Sequence, residues 1–446
     1  MSDHAAPFAV IFLETPYNRY SLAVLTGVLE ADERLYDVDL RFVTLKTQRR
    51  TGEVNIAAAV EQLETLSRRY KKAVIALSFH TASVITIADL LHTLHQRLRT
   101  GRDDAALIVA GGPHPSGDPD GTLRLGADVV VAGEGEVSFP ALLDNFFRNQ
   151  SFEQVKGLRY VGADGQTCST GRSPLVDISD FPPFAAQHKR FCPIEISRGC
   201  PYGCRFCQTT FLMGGRMRHR SLESIVQYAQ LPRRIGMKVL RFITPSAFAY
   251  ASPDGRSVNL KALEQLLRVG AEMYGKDEVY FGSFPSEVRP EQVSLDALEL
   301  VTRYCANTNL LIGAQSGSDR MLHSLRRGHS VDDIVRAVEL TLSAGLVPNV
   351  DFIFGLPGET ARDRRDTLTL IRRFTDTGVR VRSHAFMPLV GTPLADCPPG
   401  VLDDEIRALM LSLRGKNLEQ GRWQQHEKLA QKTAEFLRNQ HRNVKR

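Results

Sequence analysis

At 446 residues the chain exceeds one ordinary hydrophobic core, so two or three domains are expected. Hydrophobic residues at 43% and charged residues at 24% exclude a disordered chain and describe a globular one. A net charge of +6 is modest; nucleic acid is not expected as a partner, and the absence of any run of about 18 uncharged apolar residues predicts no membrane span. Met1 to Phe8 has neither a basic nor a long apolar region, so no secretory signal is expected. Of seven cysteines three fall in one loop, and Cys168, Cys192, Cys305 and Cys397 read as ordinary thiols of a reducing, cytoplasmic compartment.

In chain order, residues 1–150 alternate apolar strands with helical stretches. Strands are predicted at 8–13, 38–45, 73–78, 106–110 and 129–132, with helices such as 56–69 and 88–98 between them. That alternation predicts a doubly wound parallel sheet whose ligands bind at the carboxyl ends of the strands. Those ends read Glu14 to Tyr20, Ser78-Phe79-His80-Thr81, Gly111-Gly112-Pro113-His114 and Gly133-Glu134-Gly135-Glu136. Glycine there lets a flat or bulky ligand approach the backbone. Residues 151–190 read as a linker, with a small hairpin near 157–165 and a Pro-rich crossing at 180–184.

The rhythm restarts in residues 191–395, with strands at 193–197, 238–243, 278–284, 309–314, 349–354 and 380–387. Helices are expected at 221–235, 258–274, 290–304, 330–344 and 361–376. Six strand–helix units fit a partial (β/α)6 TIM-like barrel, whose reactive groups sit at strand carboxyl ends. Residues 396–446 open on a Cys-Pro-Pro-Gly break and continue as a helical, net-basic tail, with helices near 402–420 and 423–441 and Trp423 as a packing anchor.

After the first barrel strand comes Ser197-Arg198-Gly199-Cys200-Pro201-Tyr202-Gly203-Cys204-Arg205-Phe206-Cys207. Three thiols at spacings of four and three can surround one metal centre. A closed zinc site wants a fourth ligand nearby, and His219 is twelve residues on. Four-iron clusters take four thiolates, so three leave one iron open. With Phe206 before the third cysteine, the loop resembles the signature of the radical S-adenosylmethionine (SAM) superfamily.

That resemblance implies a 4Fe-4S cluster on Cys200, Cys204 and Cys207, SAM chelated at the open iron, and one-electron cleavage to a 5′-deoxyadenosyl radical. It also implies an external electron donor such as flavodoxin or ferredoxin. Later strand ends match the family in order: Glu287 after Gly282–Ser286, Gln315-Ser316-Gly317-Ser318 with Arg326-Arg327-Gly328-His329, Ile353-Phe354-Gly355-Leu356-Pro357-Gly358, and Met387-Pro388. By the same resemblance Phe206, Glu287, Gln315, Ser316, Ile353, Phe354, Gly355 and Pro388 are candidate SAM contacts. Ser246 and His384 also fall at strand ends, where a cofactor contact competes evenly with a core or loop role.

The glycine-rich ends of the first sheet resemble the cobalamin-binding domain that precedes the radical SAM domain in one subgroup. The resemblance implies cobalamin contacts at Tyr17, Asn18, Ser78, His80, Gly111, Gly112, His114, Gly133, Glu134 and Gly135. The loop after the first strand holds no histidine, so cobalt is expected to lack a protein imidazole below, with neither His80 nor His114 coordinating it. A vestigial domain that holds nothing is the competing reading. The leading function is a cobalamin-dependent methyltransferase acting on an unactivated carbon, with ring-forming or rearranging chemistry on the same architecture as an alternative. A methylthiotransferase would need a second cluster on three N-terminal cysteines, and residues 1–167 hold none. A non-catalytic cobalamin or cluster sensor would not need the SAM-matching strand ends.

Overall fold

The computed structural model describes residues 6–46, 54–99 and 105–444. The chain forms two compact units, residues 1–176 with 180–192 and residues 177–179 with 193–441, the last five residues grouping with the first.

In the first unit β1 (Phe8–Glu14), β2 (Val38–Thr44), β3 (Lys72–Ser78), β4 (Ala106–Gly111) and β5 (Val129–Val131) are parallel, in the order β2-β1-β3-β4-β5. Six of the seven residues of β1 and of β3 are buried, as strands covered on both faces require. Helices α1 (Arg19–Ala31), α2 (Ile56–Ser67), α3 (Val84–Arg99), α4 (Pro113–Gly117), α5 (Pro119–Arg124) and α6 (Gly135–Phe147) connect them. The strand order reverses between β1 and β3, which puts a crevice at their carboxyl ends. Two antiparallel strands, β6 (Leu158–Val161) and β7 (Thr167–Ser169), extend this same sheet to seven strands. Leu158 is fully buried in the core with Phe12, Val74, Val109 and Leu142, so the hairpin of the linker segment is part of the first unit's sheet.

The second unit begins with β8 (Ile194–Glu195), followed by an antiparallel clasp of β9 (Ser197–Arg198) and β10 (Arg218–His219). The remaining strands are β11 (Leu240–Ile243), β12 (Val279–Tyr280), β13 (Asn309–Gln315), β14 (Val347–Phe354) and β15 (Arg380–Ala385). Parallel triplets β8-β11-β12 and β13-β14-β15 are joined by the bridge Val288↔Ile312 and the bonds Leu311 N–H to Gly282 O and Val288 N–H to Leu311 O, both 2.8 Å. Six parallel strands therefore stand side by side, as an open barrel demands.

The helices are α7 (Thr209–Met213), α8 (Leu222–Arg234), α9 (Leu260–Tyr274), α10 (Leu295–Tyr304), α11 (Asp319–Ser324), α12 (Val331–Ser343) and α13 (Ala361–Thr375). Ser330 with Asp333 and Thr360 with Asp363 form capping boxes that start α12 and α13. The tail adds α14 (Asp404–Gly415) and α15 (Trp423–Val444), and between them residues 418–420 lie along β15: Val381 N–H donates to Leu418 O and Gln420 N–H to Val381 O. Among the described residues no helix is long and apolar enough to cross a membrane.

Candidate active site

The three thiols lie on an excursion closed at its base by the β9–β10 clasp. Its arms cross so tightly that a Cβ on Gly199, whose φ is +85°, would lie 2.4 Å from Arg216 O. Only glycine satisfies both the space and the backbone there. Cys200 N–H donates to Gly214 O (3.1 Å), Thr210 Oγ1 donates to Cys200 O (2.8 Å), and Cys207 N–H donates to Cys204 O (3.0 Å). Burial pushes the Cys207 thiol up, and the nearby Cys204 and Cys200 add to that shift. A bound iron would reverse this preference, because a coordinating thiol is deprotonated outright. Among the described residues no three His, Cys, Asp or Glu side chains close on a single metal ion.

The loop is held from the side of β13. Arg289 and Arg256 lie over the Tyr202 ring, 3.3 and 4.4 Å from its centroid, and Gly328 abuts the same ring. Arg289 donates to the Arg327 carbonyl and, through Nε, to Glu291 Oε1 (2.6 Å). Burial opposes ionisation of Glu291, but the His329 imidazole and the Arg289 charge prevail and hold its carboxyl at about 2. His329 Nε2 is 3.2 Å from Ala314 O and its Nδ1 is 3.4 Å from Glu291 Oε2. The Arg327-Gly328-His329 run is thereby fixed beside the thiols, and Arg327 Nη1 donates to Cys204 Sγ at 3.4 Å.

Two sets of candidate SAM contacts come together. Phe206 and Ile353 pack against a buried apolar cluster of Met321, Leu325, Leu356, Phe386 and Leu394, a wall beside the third cysteine. Glu287, Gln315 and Arg327 converge about Gly313, where an added Cβ would lie 3.3 Å from Glu287 Oε2, 3.0 Å from Gln315 Nε2 and 3.3 Å from Arg327 Nη2. Glu287 is open to solvent yet ringed by protein; that desolvation first, then the charge of Asp351, pushes its carboxyl up to about 7 against Arg327, Arg382 and His384.

Other candidates are occupied structurally. Ser246 Oγ donates to Gln292 Oε1 (2.6 Å), and Ser316 Oγ is 3.5 Å from Thr367 Oγ1. Phe354 is fully buried, with its carbonyl accepting from Phe386 N–H (2.9 Å). Gly355 N–H donates to Glu359 Oε2 (3.1 Å), and Pro388 is buried. Sequence reasoning left Asp351, Arg382 and His426 unassigned. Asp351 Oδ2 lies 3.8 Å from His384 Nε2, and His384 stacks on His426 of α15 at 5.2 Å between centroids. Burial, the His384 charge and two arginines push His426 down to about 4. The alternation Asn349, Asp351, Ile353 with Arg380, Arg382, His384 was the available signal, since alternate residues share a face of the sheet.

In the first unit Tyr17 is 68% exposed, and His80, just beyond β3, reaches solvent although protein crowds its ring, and that partial desolvation pushes its pKa down. Asn18 is turned inward: its Nδ2 donates to Leu13 O (2.8 Å) and Ser78 O (3.0 Å), and its Oδ1 accepts from Thr15 N–H (2.8 Å). Ser78 Oγ meets Ser21 Oγ at 3.0 Å and lies 2.6 Å from where a Cβ on Gly112 (φ +90°) would stand. Glu134 accepts from Val176 N–H at 2.9 Å, tying down the segment beyond β7. Gly133 N–H donates to Ser116 Oγ (2.9 Å), and Gly135 opens α6 against Leu25. A Cβ on Gly111, at the end of β4, would meet only Val131 O, at 3.5 Å, whereas one on Gly133 (φ +98°) would lie 3.2 Å from Ser173 Cβ; the carboxyl edge is thus open to a broad flat ligand at Gly111 and covered by Ser173 at Gly133.

His114 is 1% exposed, stacked on Phe79 at 5.3 Å, with Nδ1 3.2 Å from Thr81 Oγ1. Burial pushes it down to about 4 against the Asp118 charge. The unfolded chain takes up this proton near pH 6.5 and the folded chain only near 4, so stability present above 6.5 is lost as pH falls toward 4. The loss amounts to about 3 kcal/mol. Denaturant unfolding of the wild type and His114→Gln at pH 7.5 and 4.5 should show a steeper acid loss in the wild type; parallel losses would refute the assignment.

Residues 194–371 match the model of the Radical SAM superfamily, and residues 14–143 match that of the B12 binding domain. The chain belongs to the radical SAM proteins that carry a B12-binding domain. An uncharacterised methyltransferase of Pyrococcus horikoshii is 26% identical over 286 residues, 61% of this chain and 59% of that protein. A probable threonylcarbamoyladenosine tRNA methylthiotransferase of Archaeoglobus fulgidus is 28% identical over 309 residues, 66% of this chain and 70% of that protein. The alignment to the first of these relatives thus spans less than two thirds of its length. The radical SAM methyltransferase TsrM of Kitasatospora setae, solved with tryptophan and a SAM analogue, superposes with a TM-score of 0.66 at 17% identity over 87% of this chain and 75% of TsrM. At that identity the likeness concerns the fold. Radical SAM membership implies a 4Fe-4S cluster, SAM and an external reductant, and the B12-binding domain implies cobalamin.

Proposed function

We propose that this chain is a cobalamin-dependent radical SAM methyltransferase acting on an unactivated carbon of a small molecule or peptide. The observation that carries the reading is the pairing, in one chain, of a three-thiol loop with a parallel sheet whose carboxyl edge ends on Gly111, where a Cβ would meet only Val131 O at 3.5 Å. When bound, the cluster and SAM supply hydrogen abstraction from carbon, and cobalamin supplies a transferable methyl group. Cys200, Cys204 and Cys207 would hold the cluster. Phe206 and Ile353 provide an apolar wall that excludes water, and Glu287 and Gln315 offer polar groups beside it. A flavodoxin- or ferredoxin-type carrier would deliver the electron.

The methylthiotransferase relatives favour a second reading, as does the resemblance of the Gln315–Ser318 and Arg326–His329 runs to that class. It is the weaker one, because the first unit matches a B12-binding domain and residues 1–167 hold no cysteine.

The test is anaerobic incubation of the reconstituted full chain with reductant, methyl-labelled SAM and candidate acceptors. The expected result is label on acceptor carbon, with 5′-deoxyadenosine and S-adenosylhomocysteine both formed. Label carried on a newly inserted sulfur would support the second reading, and no SAM cleavage at all would overturn both.

A further inference from the structure

We propose that Arg327 is a positioning residue that raises the reduction potential of the cluster held by Cys200, Cys204 and Cys207. The inference rests on the reading of that loop as a cluster site. The Arg327 side chain is clamped. Nη1 lies 3.4 Å from Cys204 Sγ, and Nη2 donates to Gly313 O at 2.6 Å. Its own carbonyl accepts from Arg289, and the following Gly328 abuts the Tyr202 ring, so the backbone cannot swing away. The residue is 7% exposed, and its Nε has no hydrogen-bond partner.

Among the described residues no carboxylate forms an ion pair with Arg327; the Glu287 carboxyl converges with it about Gly313 without a bond between them, while its two guanidinium bonds go to Cys204 Sγ and Gly313 O. Among the described residues the one sulfur it bonds is Cys204 Sγ, a ligand sulfur in the proposed reading. Its neighbour Arg326, by contrast, is exposed. Reduction adds one electron to the cluster, taken from an external one-electron carrier that is oxidised by one electron. A buried cation bonded to a ligand sulfur stabilises the more negative state, and hydrogen bonds to cluster sulfurs raise reduction potentials. Only the part of this bond gained on reduction moves the potential; a tenfold change in the reduction equilibrium corresponds to a gain of about 1.4 kcal/mol, near the lower end of the range for a hydrogen bond to a charged group.

The experiment is an anaerobic redox titration of the reconstituted full chain, without substrate or cobalamin, followed by electron paramagnetic resonance. At the solution potential that leaves the wild type half reduced, Arg327→Gln should show a ratio of reduced to oxidised cluster about tenfold lower. For one electron that is about 59 mV. Iron and sulfide content should be unchanged, Arg327→Lys should fall between, and Arg326→Gln should titrate like the wild type. If the Gln variant loads no cluster, the Lys variant decides: a negative shift supports the proposal and a wild-type midpoint overturns it. An unshifted, fully loaded Gln variant, or an equal shift in Arg326→Gln, also overturns it. A wild type that binds no cluster would sink the functional reading first, which keeps the two failures apart.

Discussion

Cys204→Ala is expected to strip the chain of its iron–sulfur centre and of all SAM cleavage. Cys204 is the most enclosed of the three thiols, 5% exposed, with its sulfur between the Arg326 carbonyl at 3.7 Å and the Arg327 guanidinium at 3.4 Å. Removing it leaves two thiols for a cluster and a buried guanidinium that has lost its sulfur partner. An uncompensated buried charge is among the costlier defects a fold can carry, so local loosening of the 327–329 run should accompany the loss. Cys305→Ala is the matched control. Its thiol is also buried, and desolvation pushes it up to about 12, but it closes α10 as a small apolar filler. Iron and sulfide should fall to background in Cys204→Ala and stay at the wild-type level in Cys305→Ala. Retained cluster in the first variant would remove Cys204 from the ligand set.

Trp423→Ala should cost about 3–5 kcal/mol of stability. Trp423 opens α15 at 1% exposure, and the Arg407 guanidinium lies 5.7 Å from its ring. Arg407 also donates to Glu427 Oε1 (2.6 Å), which accepts from Leu402 N–H (2.9 Å). The ring is thus the apolar centre of the joint between α14, α15 and the segment entering α14. Its Nε1–H has no partner, so Trp423→Phe should be far milder, losing area but no hydrogen bond. Denaturant unfolding monitored by circular dichroism measures both. Near-equal small losses would contradict the role of the indole as a packing anchor.

The parallel strands of both units were legible because buried strands read as continuous apolar runs between turn residues. The observed β11, β13, β14 and β15 fall within a few residues of their expected positions. The strand expected at 278–284 stops at Tyr280, because the Asn307 side chain takes the place of a ladder partner, its Oδ1 accepting from Phe281 N–H (3.1 Å) and its Nδ2 donating to Phe281 O (2.6 Å). The thiol loop was legible from spacing alone. What the sequence concealed was the use of polar side chains at strand ends. Asn18, Ser246 and Ser316 resemble ligand contacts until their partners are known, and those partners lie 60, 46 and 51 residues away. Arg327 shows the converse. Its motif was visible, but its bond to Cys204 spans 123 residues and depends on how Arg289 and Tyr202 pack. The His384–His426 stack needs α15, whose path no periodicity specifies.

One chain is expected to hold both a cluster on three thiols and a corrinoid on the first sheet. Parallel determination of iron, sulfide and cobalt per chain, after anaerobic reconstitution with iron, sulfide and hydroxocobalamin and removal of unbound cofactor, tests it most directly. Roughly four iron, four sulfide and one cobalt per chain are expected, with the iron lost in Cys204→Ala and the cobalt retained. A fully loaded cluster with no cobalt, or iron that survives in Cys204→Ala, would contradict it.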